Sequence, residues 1–193
     1  MSQIVNCKVV ILGNSSTGKS SIASRYVTDS FDEMSEPTIG ASFFKKDIHT
    51  NEGTISFEIW DTAGQERYKS LAPMYYRNAK IALVVFDITN KESFLGAIKW
   101  IKELKENCAN IIIALLGNKH DLPNHFDKYI INEYVDSHNL IYYETSAKEN
   151  YNISNVFKNL ADEFCLLNEN NNTTNSVEIT DFNIQSKKKN NCC

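Results

Sequence analysis

The chain alternates short apolar runs with segments that carry apolar residues on one helical face. Strand-like runs rich in β-branched and aromatic residues lie at 7–12, 41–49, 55–60, 81–87, 111–117 and 140–144. Segments with helical spacing lie near 19–27, 68–77, 92–106, 128–138 and 153–167. The apolar runs "IALVVFD" and "IIIALLG" are typical of strands that are covered on both faces, as in a parallel sheet.

This alternation of strands and helices predicts an α/β fold, an open and doubly wound sheet with helices on both faces. The run 41–49 is joined to 55–60 through "TNEG", a hairpin-like link, so one edge strand should run antiparallel. We therefore predict a six-stranded, mostly parallel sheet with one antiparallel edge strand. Ligands of such sheets bind beyond the carboxyl ends of the strands.

Length and composition predict one domain followed by a tail. Residues 1–167 suffice for a single domain with a sizeable core. From residue 168 onward the chain is rich in Asn and poor in large apolar side chains, and it contains "KKKNNCC". Such a segment buries too little surface to offset its ordering entropy, so residues 168–193 are predicted to be a flexible tail.

Charge and hydropathy exclude several classes of function. The net charge is −4 and basic runs are almost absent before residue 187, so we expect no nucleic-acid partner. No apolar stretch approaches the roughly 20 residues that cross a bilayer. The start "MSQIVNCKVV" lacks the pattern of a secretory signal, and Ser2 lacks the glycine of an N-myristoylation signal.

The first motif with a chemical meaning is "GNSSTGKS" at residues 13–20. It fits G-x-x-x-x-G-K-[ST] between a predicted strand and a predicted helix, the setting of a phosphate-binding loop. Backbone N–H groups would face the phosphates, Lys19 would contact the β- and γ-phosphates, and the Ser20 hydroxyl would bind Mg²⁺. The predicted phosphate contacts are Ser15, Ser16, Thr17, Gly18, Lys19, Ser20 and Ser21. The alternative is an accidental glycine-rich loop.

A second motif, "WDTAGQERY" at residues 60–68, ends another predicted strand. Asp61 is placed to hold the magnesium ion, and Gly64 offers a backbone N–H to a γ-phosphate. Gln65 is the candidate catalytic residue, because its amide both donates and accepts and can orient an attacking water. A D-x-x-G turn is common by itself, and its value here depends on the preceding phosphate-binding loop.

Two further motifs concern the base. In "GNKHDL" (117–122), Asp121 can accept from the N1–H and the exocyclic amine of guanine, whereas adenine would leave the carboxylate unpaired. Asn118 and Lys119 would brace the base and the loop. The alternative is an ordinary polar turn after a strand. In "ETSAK" (144–148), the backbone around Ala147 and Lys148 could donate to the guanine O6, and Ser146 is also a predicted nucleotide-binding residue.

The four motifs in this order resemble the small GTPase superfamily over residues 6–167. "WDTAGQERY", "MYYRNAKIALVVFDIT" and the final "CC" are similar to the Rab family. "PTIGASF", "SLAPMYYR" and "WIKELKENCANIIIALLGNKHDL" most resemble the early-endosomal Rabs and their close relatives. The resemblance implies a P-loop G domain with GTP or GDP and Mg²⁺ as its ligands.

The resemblance also implies roles for residues outside those motifs. Thr38 would bind Mg²⁺ through its hydroxyl and the γ-phosphate through its N–H. Phe31 would lie against the guanine, or would simply be a core aromatic, with Asp32 and Glu33 near the ribose and phosphates. An aromatic trio would form the effector surface or merely pack a core; its members are Phe43, Trp60 and Tyr75.

The function implied is that of a regulatory GTPase that controls vesicle trafficking, of the endocytic or early-endosomal kind. No arginine is obviously placed to assist hydrolysis, so a GTPase-activating protein should supply catalysis in trans. The other expected partners are an exchange factor, effectors of the GTP form, a prenylation escort and a GDP-dissociation inhibitor. The alternatives are a nucleotide-locked membrane scaffold with negligible hydrolysis and a P-loop enzyme that uses ATP.

The last two residues, Cys192 and Cys193, resemble the double-prenylation signal of Rabs. Two lipid chains anchor a protein stably where one does not, and Lys187–Lys189 would add attraction to an anionic leaflet. A solvated end with unmodified thiols is the alternative. The resemblance implies a monomer on the cytoplasmic face of endosomal or related vesicle membranes, with a cytosolic pool.

Overall fold

A computed structural model describes residues 4–50, 53–123 and 127–182 of the chain. Its six strands are β1 (Ile4–Leu12), β2 (Ala41–Thr50), β3 (Gly53–Thr62), β4 (Ile81–Asp87), β5 (Ile112–Asn118) and β6 (Ile141–Glu144). Its five α-helices are α1 (Lys19–Thr28), α2 (Ala72–Tyr76), α3 (Lys91–Asn107), α4 (Lys128–His138) and α5 (Ile153–Phe182).

The strands form a single sheet in the order β2-β3-β1-β4-β5-β6. β2 pairs antiparallel with β3, and every other neighbouring pair is parallel. The predicted six-stranded sheet with one antiparallel edge strand is therefore confirmed. Because the parallel strands end on the same side, the loops that follow them meet at one edge.

The apolar strand residues are buried on both faces of the sheet, as their sequence predicts. All residues of β4 and β5 are buried. One face is covered by α1 and α5, where Tyr26 stacks on Phe157 with ring centroids 3.6 Å apart. The other face is covered by α2, α3 and α4, where Phe94 packs edge-on against Phe86. Two apolar cores therefore hold the loops at the carboxyl edge in place.

Two predicted elements differ in the structure. The predicted helix 68–77 is a 3-10 helix over Glu66–Leu71 followed by the short α2, which begins next to Pro73. The 3-10 helix contributes no buried residue. Because α-helices in proteins are stabilised mainly by packing of an apolar face, this segment lacks the contacts that would stabilise regular α-helical turns. The predicted tail begins at residue 168, but α5 continues to Phe182. Residues 183–193 lie outside the described part of the chain, so the domain division stays a prediction.

Among the helices of the described residues, none is both long enough and apolar enough to cross a lipid bilayer.

Candidate nucleotide-binding site

A cavity of about 440 Å³ lies where the loops that follow β1, β3, β5 and β6 converge. Most of the residues predicted from the motifs line it. They are Ser15, Ser16, Gly18, Lys19, Ser20, Ser21, Phe31, Asp32, Glu33, Thr38, Gly64, Gln65, Asn118, Lys119, Asp121, Ala147 and Lys148. Residues that are far apart in the chain therefore share one cavity because parallel strands deliver their loops to one edge.

The loop of residues 13–20 takes a shape that requires its two glycines. Gly13 has φ +145°, and a Cβ there would lie 2.1 Å from the Val85 carbonyl oxygen. Gly18 has φ +91°, and a Cβ there would lie 2.3 Å from Nδ2 of Asn118. Other residues at these positions would be strained and would collide with their neighbours. The loop then leads directly into α1, whose N-terminus is a favourable position for an anion.

Lys19 is the positively charged residue at the end of the cavity that the loop of residues 13–20 forms. It is buried, and its Nζ donates to the carbonyl oxygen of Asn14 at 2.7 Å. Burial lowers the pKa of Lys19 to about 8, and the nearby carboxylate of Asp61 opposes that decrease. A buried ammonium without a close anionic partner is costly, which makes this end of the cavity suited to the negative charge of phosphate.

Three oxygen-bearing side chains lie together beside Lys19. The hydroxyls of Ser20 and Thr38 are 2.7 Å apart, which joins the start of α1 to the loop before β2. Asp61, at the end of β3, is almost fully buried, and its Oδ1 is a buried oxygen without a hydrogen-bond partner in the described structure. Burial raises the pKa of Asp61, whereas Ser20 and the charge of Lys19 act in the opposite direction. Two hydroxyls and an unsatisfied carboxylate oxygen are a donor set that fits Mg²⁺.

Gly64 and Gln65 form the wall opposite the phosphate loop. A Cβ on Gly64 would lie 2.3 Å from Nζ of Lys19 and 2.6 Å from the backbone of Asn14. The chain can approach the loop this closely only because position 64 has no side chain. Gln65 follows with an extended backbone and precedes the 3-10 helix, so its side chain lines the cavity next to Gly64.

Asn118 connects three loops at the other end of the cavity. Its Nδ2 donates to the Thr17 carbonyl at 2.9 Å. Its Oδ1 accepts from the Thr145 hydroxyl and from the backbone N–H of Ala147, each at 3.3 Å. The predicted brace is thus a buried amide that joins the loop of 13–20, the β5 loop (residues 119–122) and the β6 loop (residues 145–152).

The carboxylate of Asp121 lies in the cavity wall and is fixed by a hydrogen bond from a buried residue. The Ser146 hydroxyl donates to Asp121 Oδ1 at 2.6 Å. Beside it, the ammonium of Lys119 pairs with Asp87 at 2.7 Å. Burial alone would raise the pKa of Asp87, but Lys119 and the donors of Thr89 outweigh that effect and hold the pKa below its usual value. Contacts within the protein therefore hold the side chains of this end of the cavity in place.

The rim of the cavity is formed by the chain after α1. Phe31 both lines the cavity and packs against the core next to α1 and α5, and its contact with guanine stays a prediction. Lys148 forms an ion pair with Glu33 across the mouth, which raises the pKa of Lys148. Arg25 supports the far side, since its guanidinium donates to the carbonyls of Ala147 and Lys148 at 2.8 and 3.2 Å.

The predicted aromatic trio lies outside the cavity and forms one cluster. The ring centroids of Phe43 and Trp60 are 5.2 Å apart, and those of Trp60 and Tyr75 are 5.9 Å apart. Trp60 and Tyr75 pack against the core, whereas Phe43 is 51% exposed. The trio is thus partly core and partly surface, and its role as an effector surface stays a prediction.

Three predicted residues lie behind the cavity wall, and five lining residues were not predicted. Thr17, Asp61 and Ser146 are buried and support their neighbours from within. The lining residues that sequence analysis missed are Ser35, Glu36, Pro37, Thr62 and Leu122. Pro37, Thr62 and Leu122 lie inside quoted motifs, where a wider choice of residues would have found them, whereas Ser35 and Glu36 precede "PTIGASF" and had no such signal. The predicted lipidation residues Cys192 and Cys193 lie outside the described residues.

The amino-acid sequence is similar to those of known proteins over most of its length. Residues 8–166 match the model of the Ras family. The GTP-binding protein YPT53 of Saccharomyces cerevisiae is 50% identical over 165 residues, which cover 81% of this chain and 75% of that protein. Ras-related protein RABF2a of Arabidopsis thaliana is 48% identical over 161 residues, which cover 81% of this chain and 80% of its own. RABF2b of the same plant is 42% identical over 192 residues, which cover 98% of this chain and 96% of its own.

The chain belongs to the Ras family and, within it, to the Rab branch of GTPases, which hydrolyse GTP to GDP and phosphate.

Proposed function

We propose that this protein binds GTP and GDP with Mg²⁺ in the cavity described above and acts as a conformational switch in vesicle trafficking, at an early endocytic step. The main observation behind the proposal is that one cavity has a negatively charged group at one end and positively charged groups at the other. One end presents the carboxylate of Asp121, and the other presents the ammonium of Lys19 and the N-terminus of α1. A guanine nucleotide has matching chemistry at its two ends.

The base end favours guanine over adenine. Asp121 is an acceptor that would pair with the N1–H and the amine of guanine, and the Ala147 N–H, which donates to Asn118 Oδ1 at 3.3 Å, would share its hydrogen with the carbonyl O6. Adenine has an acceptor at N1 and no amine at C2, so it would leave the carboxylate buried and unpaired. A site built on such hydrogen bonds rejects the wrong base strongly.

The phosphate end assigns separate tasks to neighbouring residues. Lys19 would neutralise the β- and γ-phosphates, and the N–H groups of the loop would donate to their oxygens. Ser20, Thr38 and Asp61 would hold the magnesium ion, directly or through water. When bound, that ion neutralises charge that develops on the phosphate oxygens.

The switch itself would depend on two backbone segments that touch this end. Thr38 and Gly64 belong to the segments of about residues 30–44 and 62–78, and both lie against the phosphate loop, Thr38 at Ser20 and Gly64 at Asn14. Loss of the γ-phosphate would remove their N–H contacts and release both segments. Gln65 would orient the attacking water. The slow intrinsic step would be accelerated by an activating protein, by about 10³–10⁵-fold.

Competition calorimetry tests the proposal. Nucleotide-stripped protein is titrated with GTP, and then with ATP at the same concentration. We expect ATP to leave GTP binding unchanged, and we expect Asp121→Asn to weaken GTP binding strongly. The matched control is Asp127→Asn, which changes a carboxylate that caps α4 by accepting from the Tyr129 N–H. ATP that displaces GTP from the wild type would overturn the proposal.

The cellular part of the proposal rests on the Rab relationship and on the sequence of the tail. Prenylation of Cys192 and Cys193 would anchor the protein on vesicle membranes, and an escort and a GDP-dissociation inhibitor would move it through the cytosol. An exchange factor and effectors of the GTP form complete the expected partners. Replacing both cysteines with serine should move a tagged protein from the membrane pellet to the soluble fraction. Continued pelleting of that variant would contradict lipid anchoring.

A further inference from the structure

His120 lies within the motif "GNKHDL", directly before the carboxylate that would bind the base. We infer that His120 is a positioning residue, whose contacts with Glu144 and Tyr151 clamp the β5 loop against the β6 loop and slow the release of the bound nucleotide. The inference rests on the proposed function, since it concerns how long the same cavity keeps its guanine nucleotide.

The first half of the clamp is a polar contact between two side chains. Nδ1 of His120 lies 2.9 Å from Oε2 of Glu144, at the end of β6, and the Glu144 side chain is 21% exposed. Lys128 at the start of α4 pairs with the same carboxylate at 2.8 Å. The backbone N–H of His120 also donates to the Thr145 carbonyl at 3.0 Å. The β5 loop, the β6 loop and α4 are thereby joined at one carboxylate.

The second half of the clamp is a ring contact. The imidazole of His120 stacks on the ring of Tyr151, with centroids 4.8 Å apart and planes inclined by 17°. Tyr151 in turn exchanges two backbone hydrogen bonds with Ser146, at 3.1 and 2.9 Å. The Ser146 hydroxyl then donates to Asp121. A closed circuit therefore runs from His120 through Tyr151 and Ser146 back to Asp121.

The circuit surrounds the base end of the cavity without belonging to its wall. His120, Glu144 and Tyr151 do not line the cavity. They act on residues that do, because His120 precedes Asp121 in the chain and Tyr151 holds the β6 loop that carries the Ala147 N–H. Loosening this circuit would let the two loops separate, which is the movement that base release requires.

Release of GDP is the quantity to measure. Full-length protein is loaded with a fluorescent GDP analogue and chased with excess GDP in the presence of Mg²⁺. His120→Ala should release the analogue about threefold to tenfold faster, because the ring contact with Tyr151 and the close polar contact with Glu144 are lost. Tyr151→Ser should act in the same direction, and Tyr151→Phe, which keeps the stacked ring, should restore the wild-type rate.

The rescue by Tyr151→Phe separates positioning from general loss of structure, because this variant removes only the hydroxyl and keeps the ring that stacks on His120.

The chain offers a matched control in His138. Its ring stacks on Tyr134 with centroids 4.1 Å apart, within α4 and away from the cavity lining. His138→Ala should leave the release rate unchanged. Thermal unfolding curves would first show that wild type and His120→Ala are both folded. Equal rates of GDP release by the two proteins would then overturn this inference alone. Failure of the wild type to retain the GDP analogue would overturn the proposed function, and this inference with it.

Discussion

The side chain of Asn118 donates from Nδ2 to the carbonyl oxygen of Thr17 at 2.9 Å, across 101 positions of the chain. The contact joins the end of the cavity that would hold the base to the loop that would hold the phosphates. Its donor also fills the space beside Gly18, where a Cβ would collide with it. The two ends of the nucleotide site are therefore built as one unit.

Replacement of Asn118 should weaken both ends together. Asn118→Ala removes three hydrogen bonds and leaves the Thr17 carbonyl and the Ala147 N–H without this partner. Loss of buried hydrogen bonds should lower the free energy of unfolding by about 2 kcal/mol and speed GDP release. Chemical denaturation and nucleotide chase measure the two effects. Asn107→Ala, which removes an exposed bond at the end of α3, is the control and should change neither.

Gly64 should be needed for the GTP form in particular. In Gly64→Ala the new Cβ meets the backbone of Asn14, which cannot move aside, so the loop 62–65 must withdraw from the phosphate loop. We expect GDP binding to persist while the preference for a non-hydrolysable GTP analogue falls, as measured by calorimetry.

The matched control for Gly64→Ala is Gly96→Ala in α3. Its Cβ would meet the same Asn14, but at the side-chain amide, which can rotate away. Alanine also favours the helix over glycine by about 1 kcal/mol. Gly96→Ala should therefore keep the wild-type nucleotide preference, and an equal loss in both variants would contradict the steric argument.

The ion pair between Asp87 and Lys119 should make stability depend on pH in the acid range. Because the folded state holds the pKa of Asp87 below its ordinary value of 3.8, the unfolded chain takes up the proton first as the pH falls. The stabilisation is thus present above that value and is lost as the pH falls through the folded-state pKa.

Asp87→Asn should accordingly lower the free energy of unfolding by about 1 kcal/mol at neutral pH. The difference from wild type should shrink once the carboxyl of the wild type is protonated. Urea denaturation across the acid range measures it. Asp162→Asn changes an exposed carboxylate of α5 and serves as the reference. A difference that stays constant with pH would refute the linkage.

Gln65 should be required for hydrolysis rather than for binding. Gln65→Leu keeps the size of the side chain but removes the groups that would orient water, so single-turnover cleavage of GTP should slow by about 100-fold. GTP affinity by calorimetry should change little. Glu66→Gln alters the next residue, whose side chain is exposed, and should cleave at the wild-type rate. Wild-type cleavage by Gln65→Leu would remove Gln65 from the mechanism.

The sheet and most of the cavity were predictable because their signals are local. β4 and β5 are apolar at nearly every position, and the motifs at strand ends have fixed spacing, so topology alone brings them together. The 3-10 helix was wrongly predicted as part of a longer α-helix. The letters "ERYKSL" alone do not reveal that these side chains stay out of the apolar core.

Contacts between distant loops were harder to predict. The stacking of His120 on Tyr151 and the ion pair of Lys148 with Glu33 depend on where the loops lie after folding. Neither pair has a characteristic spacing in the chain. Leu122 lines the cavity although it has no polar group, so the search for hydrogen-bonding residues in "GNKHDL" gave it no role.

The chain after α1 is tethered at its start. Asn150 donates to the Asp29 carboxylate at 3.1 Å, and Lys148 holds Glu33. Beyond these tethers, Met34 and Ile39 are 87% and 79% exposed, and Thr38 touches Ser20. A departing phosphate would therefore release residues 34–39, about six residues, while Asp29 and Glu33 stay in place, so this stretch is one of the surfaces by which a partner would distinguish the two nucleotide states.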